Sequence, residues 1–154
     1  MYSILLIIHS WMRWLVLGSL VFAIYRAYTG FRSGREFTKL DNRARHITAT
    51  IGHLQLVIGL SLYFVSPIVD YFLHNFDEGL KMREIRFFGL EHITMMMISI
   101  ELLTAGSIIT KRRKTDHSKF KTMLIWYSIV LAIIFLSVPW SLSPFTGRPL
   151  FRWY

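Results

Sequence analysis

Four long apolar runs, separated by charged segments, constrain this chain more than any other feature of its sequence. They cover residues 3–28, 47–65, 87–110 and 123–140. Each run has about 18 to 26 residues, which at about 1.5 Å per residue is enough to cross a hydrocarbon core of about 30 Å. The chain of 154 residues is 53% hydrophobic, which is too apolar for an ordinary soluble domain. The sequence therefore predicts an all-α membrane protein with one integral membrane domain, residues 1–154.

The basic residues are concentrated in two of the connecting segments. Residues 26–46 contain six Lys and Arg residues, and residues 111–121 contain six more. The amphipathic segment of residues 68–86 balances four acids against three bases, and we expect it to lie on the membrane surface. The positive-inside rule places the basic loops in the cytoplasm and both termini outside. Since the connections are short, the economical architecture is a four-transmembrane-helix up-and-down bundle.

The charge distribution and the absence of cysteine exclude several functions. The formal charge is +9, but its placement between apolar runs is explained by membrane topology rather than by nucleic-acid binding. A chain with no cysteine cannot form disulfides, iron–sulfur clusters, zinc–thiolate sites or covalent c-type haem. There is also no HExxH, P-loop, GxGxxG or nucleophile motif. The sequence predicts no catalytic residue, and a cofactor must be held by His, Met, carboxylate or packing.

Three of the six histidines, His9, His53 and His92, lie inside apolar runs. Ionisable groups at membrane depth are costly and are functional candidates by default. His9 is about 9 Å and His92 about 7.5 Å from the outer ends of their runs. Neighbouring helix axes are about 8–10 Å apart, so the diagonal first and third helices are roughly 11–14 Å apart. This gap suits two imidazoles that ligate a haem iron, and we expect His9 and His92 to hold haem b.

Two charged residues accompany this histidine pair. Arg13 lies four residues after His9, on the same helical face. A buried arginine needs an anion, such as Glu91, a haem propionate or a quinone oxygen. Glu91 lies about 100° around the helix from His92, so we expect it to serve Arg13 rather than the imidazole. The candidate cofactor-binding cluster is therefore His9, Arg13, Glu91 and His92.

His53 enters from the cytoplasmic side and is a further candidate metal ligand. Glu101 is at a similar depth but lies nine residues after His92, or about 180° around a straight helix. One of Glu101 and His92 is therefore expected to face a side groove, a partner subunit or lipid. His53 with Glu101 could form a proton-relay or quinone-head pair, or an interhelical hydrogen bond that only stabilises the bundle.

Three motifs resemble a family of small bacterial four-span membrane proteins that are labelled cytochrome b or cytochrome b-like. The motifs are His9-Ser10-x-x-Arg13-x-Leu15, His53-Leu54-Gln55-Leu56-x-x-Gly59-Leu60-x-Leu62-Tyr63-Phe64-x-Ser66-Pro67 and Glu91-His92-x-x-Met95-Met96. The resemblance extends over most of the chain, and its middle motif is the most specific. It implies a multi-pass protein of the bacterial inner membrane, possession of b-type haem, and electron transfer with quinone.

Three hypotheses for the function follow. The first is a membrane electron carrier with haem b between His9 and His92, which exchanges electrons with quinone or a respiratory partner. If it is an enzyme, it is a quinone-linked oxidoreductase. The second is a haem-free accessory subunit of a larger membrane complex. The third is a metal or proton site in the same cluster.

Overall fold

A computed structural model describes residues 1–140; residues 141–154, which the predicted single domain includes, lie outside the described part. Residues 1–140 are helical except for short connections, and they contain no strand. The helices are α1 (Tyr2–Ser33), α2 (Lys39–Val65), α3 (Pro67–His74), α4 (Phe76–Gly79), α5 (Arg83–Arg86), α6 (His92–Arg112) and α7 (Asp116–Ser137). A π-helical turn, Phe87–Glu91, joins α5 to α6.

Four helical segments are long and apolar enough to cross a membrane. They are Tyr2–Ser33, Lys39–Val65, Arg83–Arg112 and Asp116–Ser137. α1 packs mainly on α2 and α7, and α6 also packs on α2 and α7. Helices α1 and α6 are therefore diagonal to each other. The predicted all-helical fold with four membrane-spanning helices is confirmed, while the side of the membrane on which the termini lie stays a prediction.

The first two long helices extend beyond the predicted apolar runs at the basic end of the bundle. α1 continues to Ser33 and ends where Gly34 takes a left-handed conformation, with φ of 65°. α2 begins at Lys39, where Thr38 and Asp41 form a capping box. The connection is thus only residues 34–38, because polar residues outside the hydrocarbon region continue both helices.

A buried carboxylate fixes this short connection. Asp41 is fully buried, and its carboxylate accepts hydrogen bonds from Arg26 Nε at 2.9 Å and Arg35 Nη1 at 2.6 Å. Thr38 Oγ1 donates to the same carboxylate at 2.7 Å. The hydrogen bond to Asp41 raises the pKa of Arg35 above its usual range. This cluster joins the end of α1 to the start of α2 by a charged network.

Small residues and buried polar groups hold the four long helices close together. A Cβ atom at Gly106 would lie 2.5 Å from Cβ of Trp126, so α6 and α7 pack closely at that glycine. Tyr127 is fully buried and its hydroxyl donates to the backbone oxygen of Arg45 at 2.8 Å. Arg45 in turn donates to the Ser107 hydroxyl. The interior therefore combines close packing with interhelical hydrogen bonds, as expected of membrane bundles.

The segment between α2 and α6 covers the other end of the bundle. Pro67 occupies the first turn of α3, where its missing N–H has no helical partner to lose. Val69 and Phe72 are buried, and a Cβ atom at Gly89 would meet the Phe72 ring. α3 therefore presents one face to the start of the third spanning segment.

Candidate functional site

A narrow cavity lies in the bundle at the end away from the basic loops. Its volume is about 160 Å³, and the part of α1 that lines it extends from Tyr2 to Val16. At the helical rise of about 1.5 Å per residue this length is about 21 Å. The walls are mostly apolar, and their polar members include His9, Arg13, Gln55 and His92. The cavity is thus a long slot with a few convergent polar groups, which is the usual form of a ligand site.

The structure brings His9 of α1 and His92 of α6 together across this slot. The centres of the two imidazole rings are 6.4 Å apart, and the ring planes meet at 76°. The two residues come from diagonal helices, as the depth of each histidine in its apolar run predicted. Both side chains line the cavity.

The orientation of the His92 ring is fixed by α7. Its Nδ1 lies 3.0 Å from the backbone oxygen of Ser137. Because a carbonyl oxygen only accepts, Nδ1 is the protonated nitrogen and Nε2 keeps its lone pair. The rings of Phe87 and Phe88 lie 5.6 Å and 6.2 Å from the His92 ring, centre to centre. Such a backbone partner on the second nitrogen is typical of metal-ligating histidines.

The environment of His9 is built by α2. Gln55 Nε2 donates to the His9 backbone oxygen at 3.0 Å and lies 3.2 Å from His9 Nδ1. A Cβ atom at Gly59 would lie only 3.1 Å from His9 Cε1, so the glycine allows the ring to approach α2. Gln55 Oε1 is buried and has no hydrogen-bond partner within residues 1–140. Gln55 and Gly59 are four residues apart in the sequence. This spacing indicates that they lie on the same face of α2.

Arg13 also lines the cavity, and two tryptophans flank its guanidinium. Arg13 Cζ is 5.5 Å from the centre of the Trp14 ring and 5.7 Å from that of Trp140. The two indoles themselves are 5.8 Å apart. Cation–π contacts of this kind stabilise a positive charge away from water. Hydropathy and residue spacing give no sign of this role of Trp14 and Trp140, which lie far apart in the sequence.

Glu91 does not line the cavity. Its Oε1 accepts a hydrogen bond from Arg86 Nε at 2.7 Å, and both side chains are partly exposed. This ion pair corrects the expected partner of Glu91, which was Arg13. Glu91 ends the π-helical turn, in which the Gly89 carbonyl accepts from the Tyr63 hydroxyl at 2.9 Å. π-helical turns are frequent at functional sites, but hydropathy patterns give no sign of them.

His53 and Glu101 lie outside the cavity, on the membrane-facing surface. His53 is exposed; its Nδ1 lies 2.7 Å from the Ala49 backbone oxygen and its Nε2 lies 3.0 Å from Thr104 Oγ1. Glu101 is exposed and makes no hydrogen bond or ion pair with any residue in the range 1–140. The prediction that His92 and Glu101 face different sides is therefore confirmed. Of the two alternatives for His53, the structure has the interhelical hydrogen bond, to Thr104, and no hydrogen bond or ion pair between His53 and Glu101.

The donor set of the cavity fits two-point ligation rather than a metal cage. Within residues 1–140 no group of three or more His, Cys, Asp or Glu side chains could hold a metal ion. The two imidazoles approach the cavity from diagonal helices, and His9 Nε2 lies 3.3 Å from Gln55 Nε2 of α2.

The fold defines a multi-pass membrane protein whose helical bundle contains a mostly apolar cavity with a few polar side chains. No model of a known protein family, no curated protein and no solved structure matches the chain.

Proposed function

We propose that this chain is an electron-transfer protein of the bacterial inner membrane, with a b-type haem between His9 and His92. We further propose that it exchanges electrons with quinone or a respiratory partner. The observation that carries the proposal is the distance of 6.4 Å between the centres of the two imidazole rings. The resemblance of the three histidine-containing motifs to cytochrome b-like proteins supports the same function.

The ring spacing agrees with the length of metal–imidazole bonds. Such a bond is about 2 Å long, and each ring centre lies ~1 Å behind its nitrogen, so one metal between two imidazoles separates the ring centres by about 6 Å. The observed distance of 6.4 Å is close to this spacing. Ligation through His9 Nε2, which lies 3.3 Å from Gln55 Nε2, requires this nitrogen to face the metal instead of α2. His92 is also held in the tautomer that leaves Nε2 available, because Nδ1 donates to Ser137.

The remaining side chains have roles that suit such a site. A bound haem supplies a one-electron carrier, and its axial ligands and surroundings set its potential. Arg13 offers a cation for an acidic group of the ligand, and the indoles of Trp14 and Trp140 hold the guanidinium in place. Phe87 and Phe88 keep water from the His92 ring, which lowers the local dielectric.

A second candidate is a quinone headgroup bound in the same cavity without haem. Gln55 Oε1 is a buried acceptor without a partner in residues 1–140, and the hydroxyl of a reduced quinone is a matching donor. The cavity volume of about 160 Å³ is close to that of an engineered apolar cavity of about 150 Å³ that binds benzene. The slot therefore takes one ring readily, whereas a macrocycle requires side chains such as the flexible Met96 to move.

The visible spectrum of the purified full-length protein tests the haem proposal. We expect Soret and α bands after reduction with dithionite, and at least a tenfold loss of these bands in His92→Ala. His74→Ala is the matched control, because His74 is an exposed histidine of α3 outside the cavity. His92→Met, which keeps a ligating sulfur, should retain bands at shifted wavelengths. Size-exclusion profiles in detergent show whether each variant is folded.

The outcomes separate the competing functions. A folded wild-type protein without these bands, expressed with sufficient haem, overturns the haem proposal. Extraction of a stoichiometric quinone from that protein would then support the second candidate, and His92→Ala should lower its yield. A protein that carries neither cofactor and co-purifies with a larger assembly would be the haem-free accessory subunit.

A further inference from the structure

A carboxyl group lies on the membrane-facing surface of α6 and has no partner among residues 1–140. Glu101 is ten residues from Lys111, or about 15 Å at the helical rise, which is half of a hydrocarbon core of about 30 Å. The side chain is exposed, and no residue in the range 1–140 bonds to it. Acidic residues at the bilayer centre are rare and normally pair with another polar group. A complementary group on a neighbouring polypeptide would satisfy this carboxyl group.

The neighbouring helix offers a base on the same surface. His53 of α2 is exposed, and it contacts Thr104, which lies one turn from Glu101 on α6. α2 and α6 are adjacent in the bundle. The surface therefore carries an acid on one helix and an imidazole on the next, at nearly the same depth.

The hydrogen bonds of His53 fix the orientation of its ring between α2 and α6. The Ala49 backbone oxygen, 2.7 Å from Nδ1, can only accept, so Nδ1 donates. Thr104 Oγ1 donates its one proton to the Ile100 backbone oxygen at 2.7 Å. Nε2 lies 3.0 Å from Thr104 Oγ1 and is therefore the ring nitrogen next to α6. The imidazole thus has a polar edge beside the turn of α6 that carries Glu101, and an imidazole is a suitable partner for a carboxyl group.

We infer that the α2–α6 face is a homodimer interface, in which Glu101 of each copy pairs with His53 of the other. A twofold axis along the membrane normal places α2 of one copy opposite α6 of the second. One acid and one base on adjacent helices are then self-complementary, and both ion pairs form at once. The exposed apolar residues beside them, including Leu54, Val57 and Met97, supply the packing that helix association in membranes requires.

Disulfide crosslinking tests the arrangement directly, because the chain has no cysteine of its own. Val57 and Met97 each lie one turn from the proposed pair, towards the same end of the bundle. One copy would carry Val57→Cys and the other Met97→Cys, each with a different affinity tag, and both would be oxidised in native membranes. We expect a disulfide-linked product that contains both tags. Ile129→Cys replaces Met97→Cys as the control, since Ile129 is similarly exposed but lies on α7.

A second variant tests whether formation of the dimer depends on the Glu101 carboxyl group. Glu101→Ala in both copies should reduce the crosslinked fraction at least fivefold, whereas the individual copies should insert normally because the change removes a costly carboxyl from the hydrocarbon. Combining Glu101→His with His53→Glu exchanges the two groups and should restore crosslinking. The inference is overturned if the Val57–Met97 product is absent, if the Ile129 control crosslinks equally, or if Glu101→Ala has no effect.

Discussion

At the scale of single residues, the position of the His9 ring depends on a glycine of α2. Gly59 is the residue of α2 that lets the imidazole approach, because a Cβ atom there would lie 3.1 Å from His9 Cε1. Gln55, one turn earlier, bonds the His9 backbone oxygen. The ring is thus positioned by its neighbours on α2 rather than by the conformation of α1 alone.

Gly59→Ala should therefore displace the His9 ring by a few tenths of an ångström and weaken cofactor binding without unfolding the protein. We expect a several-fold lower haem content and a shifted α band, with helicity unchanged by circular dichroism. Gly18→Ala is the matched control, since no atom lies within 4 Å of a Cβ there, and alanine favours the helix by about 1 kcal/mol. Equal haem content in the two variants would contradict the proposed role of Gly59.

Asp41 is the buried charge on which the basic end of the bundle depends. Asp41→Asn leaves Arg26 and Arg35 without their carboxylate, and removing one partner of a buried ion pair costs about 3 kcal/mol. Asp70→Asn, at an exposed pair with His74, should cost less than about 0.5 kcal/mol. Denaturant titration in detergent micelles measures both free energies of unfolding. A similar decrease in the free energy of unfolding of the two variants would show that the burial of Asp41 does not contribute to stability.

At the scale of helical elements, the π-helical turn determines which residues reach the cavity. His92 begins the regular helix after this turn and faces the slot, while Glu91 ends the turn and pairs with Arg86. The opposite orientations of His92 and Glu101 could be predicted from their spacing because only regular helix lies between them. The predicted partner of Glu91 was wrong, because neither the extra residue of the turn nor the proximity of Arg86 is visible in a hydropathy pattern.

The hydroxyl of Tyr63 supports this turn from α2. Tyr63→Phe removes its hydrogen bond to the Gly89 carbonyl, and a lost neutral hydrogen bond of this kind costs about 1 kcal/mol. We expect faster amide hydrogen exchange in residues 87–92 and little change elsewhere. Tyr25→Phe is the control, since Tyr25 is 62% exposed. Unchanged exchange in residues 87–92 would show that the turn is stable without this bond.

At the scale of the whole molecule, the four spans could be predicted because run length and hydropathy are local properties of the sequence. The proximity of His9 and His92 could also be predicted, since depth in each run and diagonal packing fix it. The side-chain contacts made by residues of α7 and the segment after it could not be predicted. The flanking of Arg13 by Trp14 and Trp140, and the anchoring of His92 by Ser137, depend on how α7 packs against the other helices.

The orientation of the bundle in the membrane determines which side the cavity serves. The connections α1–α2 and α6–α7 lie at one end, and residues 26–46 and 111–121 there contain twelve Lys and Arg residues. The positive-inside rule therefore predicts that this end lies in the cytoplasm and that the cavity lies in the outer half of the bilayer. Electron exchange at His9 and His92 would then take place near the outer surface.

Single cysteines at the two ends test this orientation in a chain that otherwise has none. Ser33→Cys lies at the end of α1 and Asn75→Cys follows α3, and both sites are exposed. With a membrane-impermeant maleimide on intact spheroplasts, we expect labelling of Asn75→Cys, and labelling of Ser33→Cys only after permeabilisation. The wild-type chain controls for background. The reverse pattern would place the termini and the cavity on the cytoplasmic side, so that a cytoplasmic partner would become the nearer electron donor to the cavity.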